Sequence, residues 1–555
     1  MPSVNVDIAD LLQLTGAEDI PIERLESALL AIGAELKTTG CSSAGGSAAV
    51  DVLANRPDMF TVEGIARAVE PFLHENDKKH AGLKNYTAAE SGVDLMIDAS
   101  VIPVRPIVVG AVVRNAKMND RMIKSLMDMQ EKLHLTVGRK RAKVSIGVHD
   151  SACIHPPYTY KAVDPDNVRF VPLGMDRELS MREILNIHEK GIAYSSILEG
   201  KDKFPVLMDS KGAVLSFPPI INGTATTVTS NTKEIFIDVT GTHLHSVEIA
   251  LNVMATALIE RGMSVQTVRV VSHDGKIMTT PDLSPRRASI GISRINSVLG
   301  TSLSADEAAS CLRKMRYGAE ADGENVMIVI PCYRSDILHE IDIIEDVGIG
   351  YGYENIAGIT PKQHTFGKYR SEERLIRKLE HIMASFGFIG TFTPLISNEN
   401  EQFVKMCMPP KPRTELLNPT NTEQTCLRLS LLPSLLSVLS DNRHRELPQK
   451  LFEAGDVIVN HKNSYRLSFV ATHSRAGFTE CKSLVQGILS HLLDCYEVKP
   501  FDHPSFIDGR CAEIVADGKH VGFFGEISPE VLINFDLGHP TIAAEIDICA
   551  CILDR

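Results

Sequence analysis

The segment YRSDILHEIDIIEDVGIGYGYENI, which runs from Tyr333 to Ile356, concentrates acidic side chains that could bind a metal ion. The acids are Asp336, Glu340, Asp342, Glu345 and Asp346. No Lys or Arg lies between Arg334 and Lys362 to neutralise them. Carboxylate oxygens suit Mg²⁺, which keeps several water ligands and therefore needs only a few carboxylates from the protein. The segment offers a divalent-cation site.

A helix beginning near Asp336 would carry these acids. Its core-facing positions would be Ile337, Ile341, Ile344 and Val347. Asp342, Glu345 and Asp346 follow one another at spacings i, i+3 and i+4, so their carboxylates would share one face. A solvated acidic face with Asp336 as the N-cap explains the same pattern, because helix N-termini favour acids. The residues alone leave the metal site and the solvated face equally open.

The bulk composition indicates a soluble protein of several domains. The chain has 555 residues, which corresponds to about three or four domains, and 44% of them are hydrophobic. The net charge of -13 disfavours a polyanionic partner except through local basic patches. Eleven Cys without a CxxC pair indicate a reducing compartment. We find no secretory signal and no apolar run of the ~20 residues that span a bilayer, so we expect a cytoplasmic protein without membrane contact.

Helix and strand patterns alternate along the chain and predict an α+β multidomain fold. The expected domains are residues 1–90, 95–270, 273–360 and 365–555. Ser304 and Glu307 form a capping-box pattern, and Gly262 is expected to end a long helix. Asp517 and Gly518 predict a hairpin turn within a strand-rich last domain.

Several long motifs, taken together, resemble one protein family. The acidic segment resembles the signature of phenylalanyl-tRNA synthetase beta subunits of the archaeal and eukaryotic cytosolic type. Further matching stretches follow in the family's order: NRPDMFTVEGIARAV, GRKRAKVSIGVHD, PPIINGTATTV, FIDVTGT, LRLSLLPSLLSVLSDN and KLFEAGDV. The resemblance covers essentially the whole chain.

The resemblance implies a subunit of phenylalanine–tRNA ligase that works with an alpha subunit in an alpha2beta2 heterotetramer. The alpha subunit would charge phenylalanine tRNA with phenylalanine using ATP. This chain would support assembly and tRNA binding and would hydrolyse tyrosyl-tRNA. The resemblance also implies Mg²⁺ at the alpha–beta boundary, held by Asp336, Asp342, Glu345 and Asp346. The implied domains are an editing domain of mixed sheets and helices, a winged-helix-like metal-bearing domain and a C-terminal core like that of class II synthetases.

That C-terminal core is expected to lack catalytic residues. Active class II members use an Arg-x-Glu pair to hold ATP and the adenylate, whereas the matching stretch here is Arg428-Leu429-Ser430. Their final motif places an arginine on the nucleotide, and HVGFFGEISPEVL contains none. Since this chemistry depends on positioned charge, we expect no amino-acid activation by this chain.

The expected editing pocket must recognise one hydroxyl group. An apolar pocket rejects a substrate that adds a hydroxyl by only about a hundredfold, so a second site is needed. Ser216 and Asp238 match positions that line the family's editing pocket, and we expect Asp238 to accept the tyrosine hydroxyl. Leu207 is a looser match for a wall residue. Asn222 and Thr240 lie in the same motifs and are expected to position the ester or the water. An acid that ends a strand and caps a turn before Gly241 would explain Asp238 equally well without the family.

No Ser-His-Asp or Cys-His arrangement is apparent in the sequence, so hydrolysis is expected to use a positioned water and the tRNA's own hydroxyl. Gly223 stands where many relatives have serine, which weakens any hydroxyl role there. His134 and His149 are interpreted as structural. The densest basic cluster is Arg139, Lys140, Arg141 and Lys143. It is either a solvated loop or a contact for the tRNA acceptor end.

Two other functions fit parts of the sequence. A pure assembly and tRNA-docking subunit would share every motif but have an inactive editing pocket. A stand-alone metal-dependent hydrolase would use the acidic helix directly. The apolar residues that alternate with those acids favour an interface over an open catalytic cleft.

Overall fold

The computed structural model describes residues 2–37, 46–74, 77–361 and 365–552. The chain forms two compact units, residues 1–360 and 361–555. Both combine helices with sheets, which confirms the predicted α+β multidomain fold. None of the helices in the described residues is long and apolar enough to span a bilayer.

The first part of unit 1 packs three helices on a small antiparallel sheet of order β1-β3-β2. Its elements are β1 Ser3–Asp7, α1 Ile8–Thr15, α2 Ile22–Ala31, β2 Glu35–Lys37, β3 Ser47–Asp51 and α3 Val62–Leu73. The hydroxyl of Thr61 caps α3 by accepting a hydrogen bond from the Gly64 amide. Helix α3 is buried on nearly every side, so its polar side chains must find partners inside the protein.

The central part of unit 1 is built on a ten-stranded mixed sheet of order β12-β11-β10-β7-β4-β14-β5-β13-β6, with β15 on β14. Its first elements are β4 Ala89–Ile97, β5 Ile107–Arg114, α4 Asp120–Leu135, β6 Val144–Asp150, β7 Tyr158–Val163, β8 Arg169–Phe170, β9 Leu179–Ser180, α5 Met181–Ile187 and α6 Glu189–Tyr194. The remaining elements are β10 Phe204–Met208, β11 Val214–Phe217, β12 Ile221–Asn222, β13 Ile235–Gly241, α7 Leu244–Glu260, β14 Ser264–Val271 and β15 Ile277–Thr280. Gly262 follows α7 with φ +77°, a conformation suited to glycine, and the helix ends beside it as predicted.

The third part of unit 1 has three helices and a three-stranded antiparallel sheet of order β16-β18-β17. Its elements are β16 Arg286–Gly291, α8 Ile292–Leu299, α9 Ala305–Lys314, β17 Gly318–Asp322, β18 Asn325–Ile330 and α10 Glu340–Tyr351. The predicted capping box at the start of α9 is present, with the Ser304 hydroxyl and the Glu307 carboxylate each bonded to the other's backbone amide.

Unit 2 is dominated by a seven-stranded sheet of order β19-β22-β23-β27-β26-β25-β24, antiparallel except where β19 joins β22. Its elements are α11 Ser371–Ser385, β19 Ile389–Gly390, β20 Ile396–Ser397, β21 Cys426–Leu427, α12 Leu432–Asp441, β22 Gln449–Val459, β23 Lys462–Thr472, α13 Phe478–Leu489, β24 Glu497–Pro500, β25 Phe506–Ala516, β26 Lys519–Ile527, α14 Pro529–Asn534, β27 Thr541–Asp547 and α15 Ile548–Ile552. Asp517 and Gly518 join β25 to β26 with positive φ at both residues, which confirms the hairpin turn.

Buried charges connect the first and third parts of unit 1. Arg56 donates two hydrogen bonds of 2.9 Å to the carboxylate of Asp58, which is 1% exposed. The guanidinium of Arg67 lies 3.6 Å from the ring centre of Tyr333. Arg316 in turn donates a 2.7 Å hydrogen bond to the Arg67 carbonyl. The motifs NRPD and YRSD, far apart in sequence, therefore meet in one packed core.

Asp58 should be essential for the stability of unit 1. Burial raises the pKa of this carboxyl, but Arg56 and Arg334 lower it by more, so its pKa lies below the ordinary value. Its stabilisation is therefore present above the ordinary carboxyl pKa and is lost as the pH falls through the folded-state value. We expect Asp58→Asn to reduce the free energy of unfolding near neutral pH by ~3–5 kcal/mol, because it leaves the buried Arg56 without its carboxylate partner.

Denaturant unfolding at neutral pH would measure this loss. Asp166→Asn is the matched control, because Asp166 pairs with Arg182 at the surface and should cost less than ~1 kcal/mol. Equal losses in the two variants would contradict the role of the buried network.

Candidate functional site

A cavity of about 310 Å³ in the central part of unit 1 brings together three of the five predicted pocket residues. Ser216 on β11, Asn222 on β12 and Asp238 on β13 all line it. Much of the remaining wall is apolar and includes Val148 and Phe217. The cavity thus has the chemical character expected for recognition of a polar group on an apolar ligand.

The pairing of β6 with β13 positions Asp238. The two strands are antiparallel, and Asp238 lies directly opposite Gly147. A Cβ atom at position 147 would lie 2.1 Å from Oδ1 of Asp238. Gly147 therefore leaves the space that the carboxylate occupies, and the buried Asp238 side chain crosses the neighbouring strand.

A hydroxyl, an imidazole and a carboxylate form a continuous row beside the cavity. Nε2 of His149 lies 2.7 Å from Oδ1 of Asp238, and Nδ1 lies 2.8 Å from Oγ1 of Thr226. The sequence indicated no such arrangement, because the three residues come from separate strands and a loop. Thr226 lines the cavity and was missed. His149 itself does not line it and is completely buried.

Ser216 supplies a second polar group to the cavity wall. Its hydroxyl is buried, and no described residue forms a hydrogen bond with Oγ. An unpartnered buried hydroxyl costs roughly 1–3 kcal/mol. Asn222, which is half-buried, lies opposite Ser216 in the antiparallel pair β11–β12. Its amide donates a long hydrogen bond of 3.4 Å to the Val148 carbonyl.

Leu207 and Thr240 do not line the cavity in the structure. Leu207 packs in an apolar cluster of the central sheet. Thr240 accepts a 2.9 Å hydrogen bond from Nε of Arg105, and its carbonyl accepts another of 2.8 Å. Burial lowers the pKa of Arg105 to about 10. Thr240 thus holds a buried cation behind the wall instead of facing a ligand.

The basic cluster divides into buried and exposed members. Arg141 is buried, lines the cavity and donates a 2.8 Å hydrogen bond to the Ile220 carbonyl. Its guanidinium also lies 4.7 Å from the ring centre of Tyr194. Arg139 and Lys140 are exposed. The first of the two interpretations of this cluster, a solvated loop, therefore does not hold for Arg141, whose neighbours in the fold could not be read from the local sequence.

The acidic segment is organised differently from the prediction. Helix α10 begins at Glu340, so Asp336 lies before the helix and is not its N-cap. Arg334 donates hydrogen bonds of 2.7 Å to Asp336 and 2.5 Å to Asp346. Asp346 also accepts a 2.5 Å hydrogen bond from the Tyr317 hydroxyl. Arg334, which precedes the acids of the segment, therefore already neutralises two of them.

The other two predicted metal ligands have different surroundings. Asp342 accepts hydrogen bonds from the amides of Leu338 and His339 and so closes the start of α10. Glu345 is exposed, and partial desolvation followed by the charges of Asp346 and Asp342 raises its pKa. Within the described ranges, no three His, Cys, Asp or Glu side chains are arranged to hold a metal ion.

Ile341 is also placed differently from the prediction. It is 48% exposed, although the helical pattern assigned it to the core. Ile343 is buried together with Ile344. The later start of α10 does not change the helical spacing. Ile337, Ile344 and Val347 are buried as predicted, whereas Ile341 faces solvent and Ile343 packs in the core instead.

In unit 2 the residues of the Arg-Leu-Ser stretch are engaged within the fold. Arg428 is buried and donates to Thr393 at 2.6 Å and to Glu453 at 2.8 Å. The Ser430 hydroxyl donates a 2.7 Å hydrogen bond to Glu545. Glu545 also forms an ion pair with Arg466. Two adjoining cavities of about 160 and 230 Å³ share Arg466 and Glu545.

Comparison with known proteins agrees with the order of these parts. The model of the B3/4 domain matches residues 111–274, that of the tRNA synthetase B5 domain matches 288–353, and that of the phenylalanyl tRNA synthetase beta chain CLM domain matches 356–548. The phenylalanine–tRNA ligase beta subunit of Archaeoglobus fulgidus is 47% identical over 504 residues, 90% of this chain and 91% of the relative. That of Methanothrix thermoacetophila is 42% identical over 550 residues, 99% and 100% of the two chains. The chain belongs to the phenylalanine–tRNA ligase beta subunits.

A solved structure supports this membership at the level of the fold. An N-terminal fragment of the phenylalanyl-tRNA synthetase beta subunit from Pyrococcus horikoshii is 38% identical, with a TM-score of 0.60. It covers 63% of this chain, and its whole length is matched. The predicted family, and with it the ligase to which these beta subunits belong, is therefore confirmed.

Gly147 should be intolerant of a side chain because it makes room for the cavity carboxylate. We expect Gly147→Ala to displace Asp238, since the new Cβ would also lie 2.7 Å from Nε2 of His149. Overpacking of this kind costs ~1–3 kcal/mol, which denaturant unfolding would measure. Gly174→Ala is the control for a glycine with open space around it, although its φ of +86° adds local strain. An unaltered stability of Gly147→Ala would contradict the close packing.

Proposed function

We propose that this beta subunit removes tyrosine from mischarged phenylalanine tRNA in the central cavity. The observation that carries the proposal is a carboxylate, Asp238, in the wall of a cavity whose lining is otherwise largely apolar. A tyrosine hydroxyl donates to this carboxylate. A phenylalanine ring leaves Oδ2, the oxygen that His149 does not bind, without a donor, at a cost of ~1–3 kcal/mol. This difference lets the site select the wrong product and release the right one.

The chemistry of removal is ester hydrolysis. Water attacks the ester carbonyl, the bond to the tRNA ribose oxygen breaks, and that oxygen leaves with a proton while tyrosine leaves as the acid. Ser216 and Asn222 are the cavity groups that bind the ester or the water, because both carry polar atoms in the lining. The exposed Arg139 and Lys140, close in sequence to the lining residue Arg141, suit the phosphates of the tRNA acceptor end.

The aminoacylation reaction belongs to a partner alpha subunit in an alpha2beta2 enzyme. In this chain Arg428 is hydrogen-bonded to Thr393 and paired with Glu453, so its charge is not available to bind ATP. The C-terminal antiparallel sheet is a core like that of class II synthetases without their catalytic residues. Exposed apolar side chains of unit 2, including the 96% exposed Phe392 and the 66% exposed Ile389, supply a surface for such a partner.

We propose the domain organisation that the sequence predicts. Residues 1–90 form the N-terminal domain, 95–270 the editing domain, 273–360 the metal-bearing domain and 365–555 the catalytic-like core. The three helices and three-stranded sheet of the third domain suit a winged-helix-like fold. A protein-synthesis enzyme of this kind works in the cytoplasm.

Mg²⁺ fits the acidic segment in part. Asp342 and Glu345 form no ion pair with any described basic side chain, and the raised pKa of Glu345 reflects partial desolvation and then the nearby charges of Asp346 and Asp342. Mg²⁺ is often bound through only one or two carboxylates with water completing its shell. Asp336 and Asp346, already paired with Arg334, would complete the predicted set only by sharing their oxygens. Bound there, the ion supplies positive charge at the boundary with the alpha subunit.

The alternative function is a subunit for assembly and tRNA docking alone. Leu207 and Thr240 lie outside the cavity lining, which favours this alternative over a complete editing pocket. The two functions differ in one measurable property, the deacylation of tyrosyl-tRNA.

Asp238→Ala should weaken editing in the assembled enzyme. We expect kcat/KM for deacylation of tyrosylated phenylalanine tRNA to fall about 5- to 150-fold, which corresponds to ~1–3 kcal/mol, while charging with phenylalanine is unchanged. Asp166→Ala, at the surface of the same domain, is the control. Equal deacylation by the Asp238→Ala enzyme would favour the docking subunit.

Removal of Mg²⁺ should weaken the association of the two subunits. Chelation leaves the Glu345 charge uncompensated, so we expect sedimentation to show dissociation at higher protein concentration than with Mg²⁺ present. Glu345→Gln should reduce this response, whereas Glu340→Gln should not, because Glu340 pairs with Arg294. Association that is insensitive to chelation would contradict the magnesium site.

A further inference from the structure

His149 connects two walls of the cavity without belonging to either. Its imidazole is completely buried and does not line the cavity, yet both of its hydrogen-bond partners do. Nε2 lies 2.7 Å from Asp238 on β13, and Nδ1 lies 2.8 Å from Thr226 in the segment that follows β12. The His149 side chain therefore fixes the distance between the Asp238 carboxylate and the segment that contains Thr226.

Packing leaves this imidazole little freedom. His149 on β6 is paired directly with Phe236 on β13, and their ring centres are 6.3 Å apart in a stacked arrangement. Gly147, two residues earlier on β6, provides the space in which the imidazole and the carboxylate meet. Side chains i and i+2 of a strand lie on the same face, so Gly147 and His149 form one surface for Asp238.

The row also determines which carboxylate oxygen is available. Because a carboxylate oxygen can only accept, Nε2 of His149 carries the hydrogen that is donated to Oδ1 of Asp238. Nδ1 shares the Thr226 hydroxyl, which also lies 3.2 Å from the Gly223 carbonyl oxygen. No described residue forms a hydrogen bond with Oδ2. One oxygen of the acid is thus committed to the protein, and the other remains for a ligand.

We propose that His149 is a positioning residue that aims the free oxygen of Asp238 at the tyrosine hydroxyl and holds the Thr226 segment at a matching distance. The inference rests on the proposed editing function. His149 acts through Asp238 and Thr226 and makes no contact with the substrate. It therefore contributes to the choice between tyrosine and phenylalanine more than to the chemical step.

The test uses the assembled alpha–beta enzyme and separates binding from chemistry. Steady-state deacylation of tyrosylated and phenylalanylated tRNA gives KM, kcat and the preference between the two substrates. His149→Ala should raise KM for the tyrosyl substrate about tenfold, or ~1.4 kcal/mol, and narrow the preference by a similar factor, with a smaller change in kcat. His149→Gln, whose amide can donate to Oδ1 of Asp238, should restore most of the preference.

One further variant controls for folding, and a second tests the other end of the row. Tyr160→Phe removes a buried 3.0 Å hydrogen bond from the same sheet but away from the cavity lining, and it should leave the preference unchanged. Thr226→Val breaks the other end of the row and should raise KM in the same direction as His149→Ala. Charging with phenylalanine reports that each enzyme is assembled.

The outcomes distinguish the inference from the function on which it rests. Unchanged KM and preference in His149→Ala, in an enzyme that deacylates tyrosyl-tRNA normally, would overturn the positioning role alone. Equal losses in His149→Ala and His149→Gln, confined to kcat, would also overturn it. Absence of deacylation by the unmodified enzyme would overturn the editing function and the inference together.

Discussion

Every deeply buried carboxylate that organises unit 1 has a fixed donor beside it. An unpaired charge in a protein interior costs several kcal/mol, so the chain must bring partners together wherever an acid is buried. Asp58 is matched by Arg56, Asp346 by Arg334, and Asp238 by His149. Asp238 and His149 join two strands that are distant in sequence. Asp58 and Arg56 are close in sequence, and the contact to the third part of unit 1 comes from Arg67, which lies near Asp58 and over the ring of Tyr333.

How completely a buried carboxylate is paired within the protein indicates whether it can also bind a ligand. Asp58 faces Arg56, whose charge is permanent and whose two nitrogens donate to both carboxylate oxygens. Asp238 faces a single imidazole nitrogen and lies in a cavity wall. An acid with one satisfied oxygen and one available oxygen can accept a ligand's proton, whereas a fully paired acid can only stabilise the fold.

Local patterns predicted the fold class and several element ends correctly. The capping box at Ser304 and the hairpin at Asp517 depend on residues a few positions apart, so the sequence contains everything that determines them. The start of α10 was wrong because Asp336 turns away from the helix to meet Arg334. The position of Asp336 depends on Arg334, which is buried only in the assembled core.

The cavity residues likewise divide into those that sequence motifs identify and those that only the fold reveals. Motif resemblance identified Ser216, Asn222 and Asp238, which the structure places together. Thr226 and Arg141 were missed, because their roles arise from pairing between strands and from a backbone path with positive φ at Arg139, Lys140 and Arg141. Nothing in the residue types alone distinguishes a basic side chain that turns inward from its exposed neighbours.

The C-terminal unit applies the constraint in the opposite direction. Arg428 and Glu545 are the kinds of residue that could bind a nucleotide, yet both are saturated by partners within the sheet and its loops. Catalysis requires interactions that strengthen in the transition state. A charged side chain that is already paired within the fold cannot supply such an interaction to a substrate. In unit 1, Oδ2 of Asp238 has no hydrogen bond to a described residue. In unit 2, Arg428 and Glu545 are paired within the fold. The chemistry that we propose for this chain is therefore assigned to the central cavity.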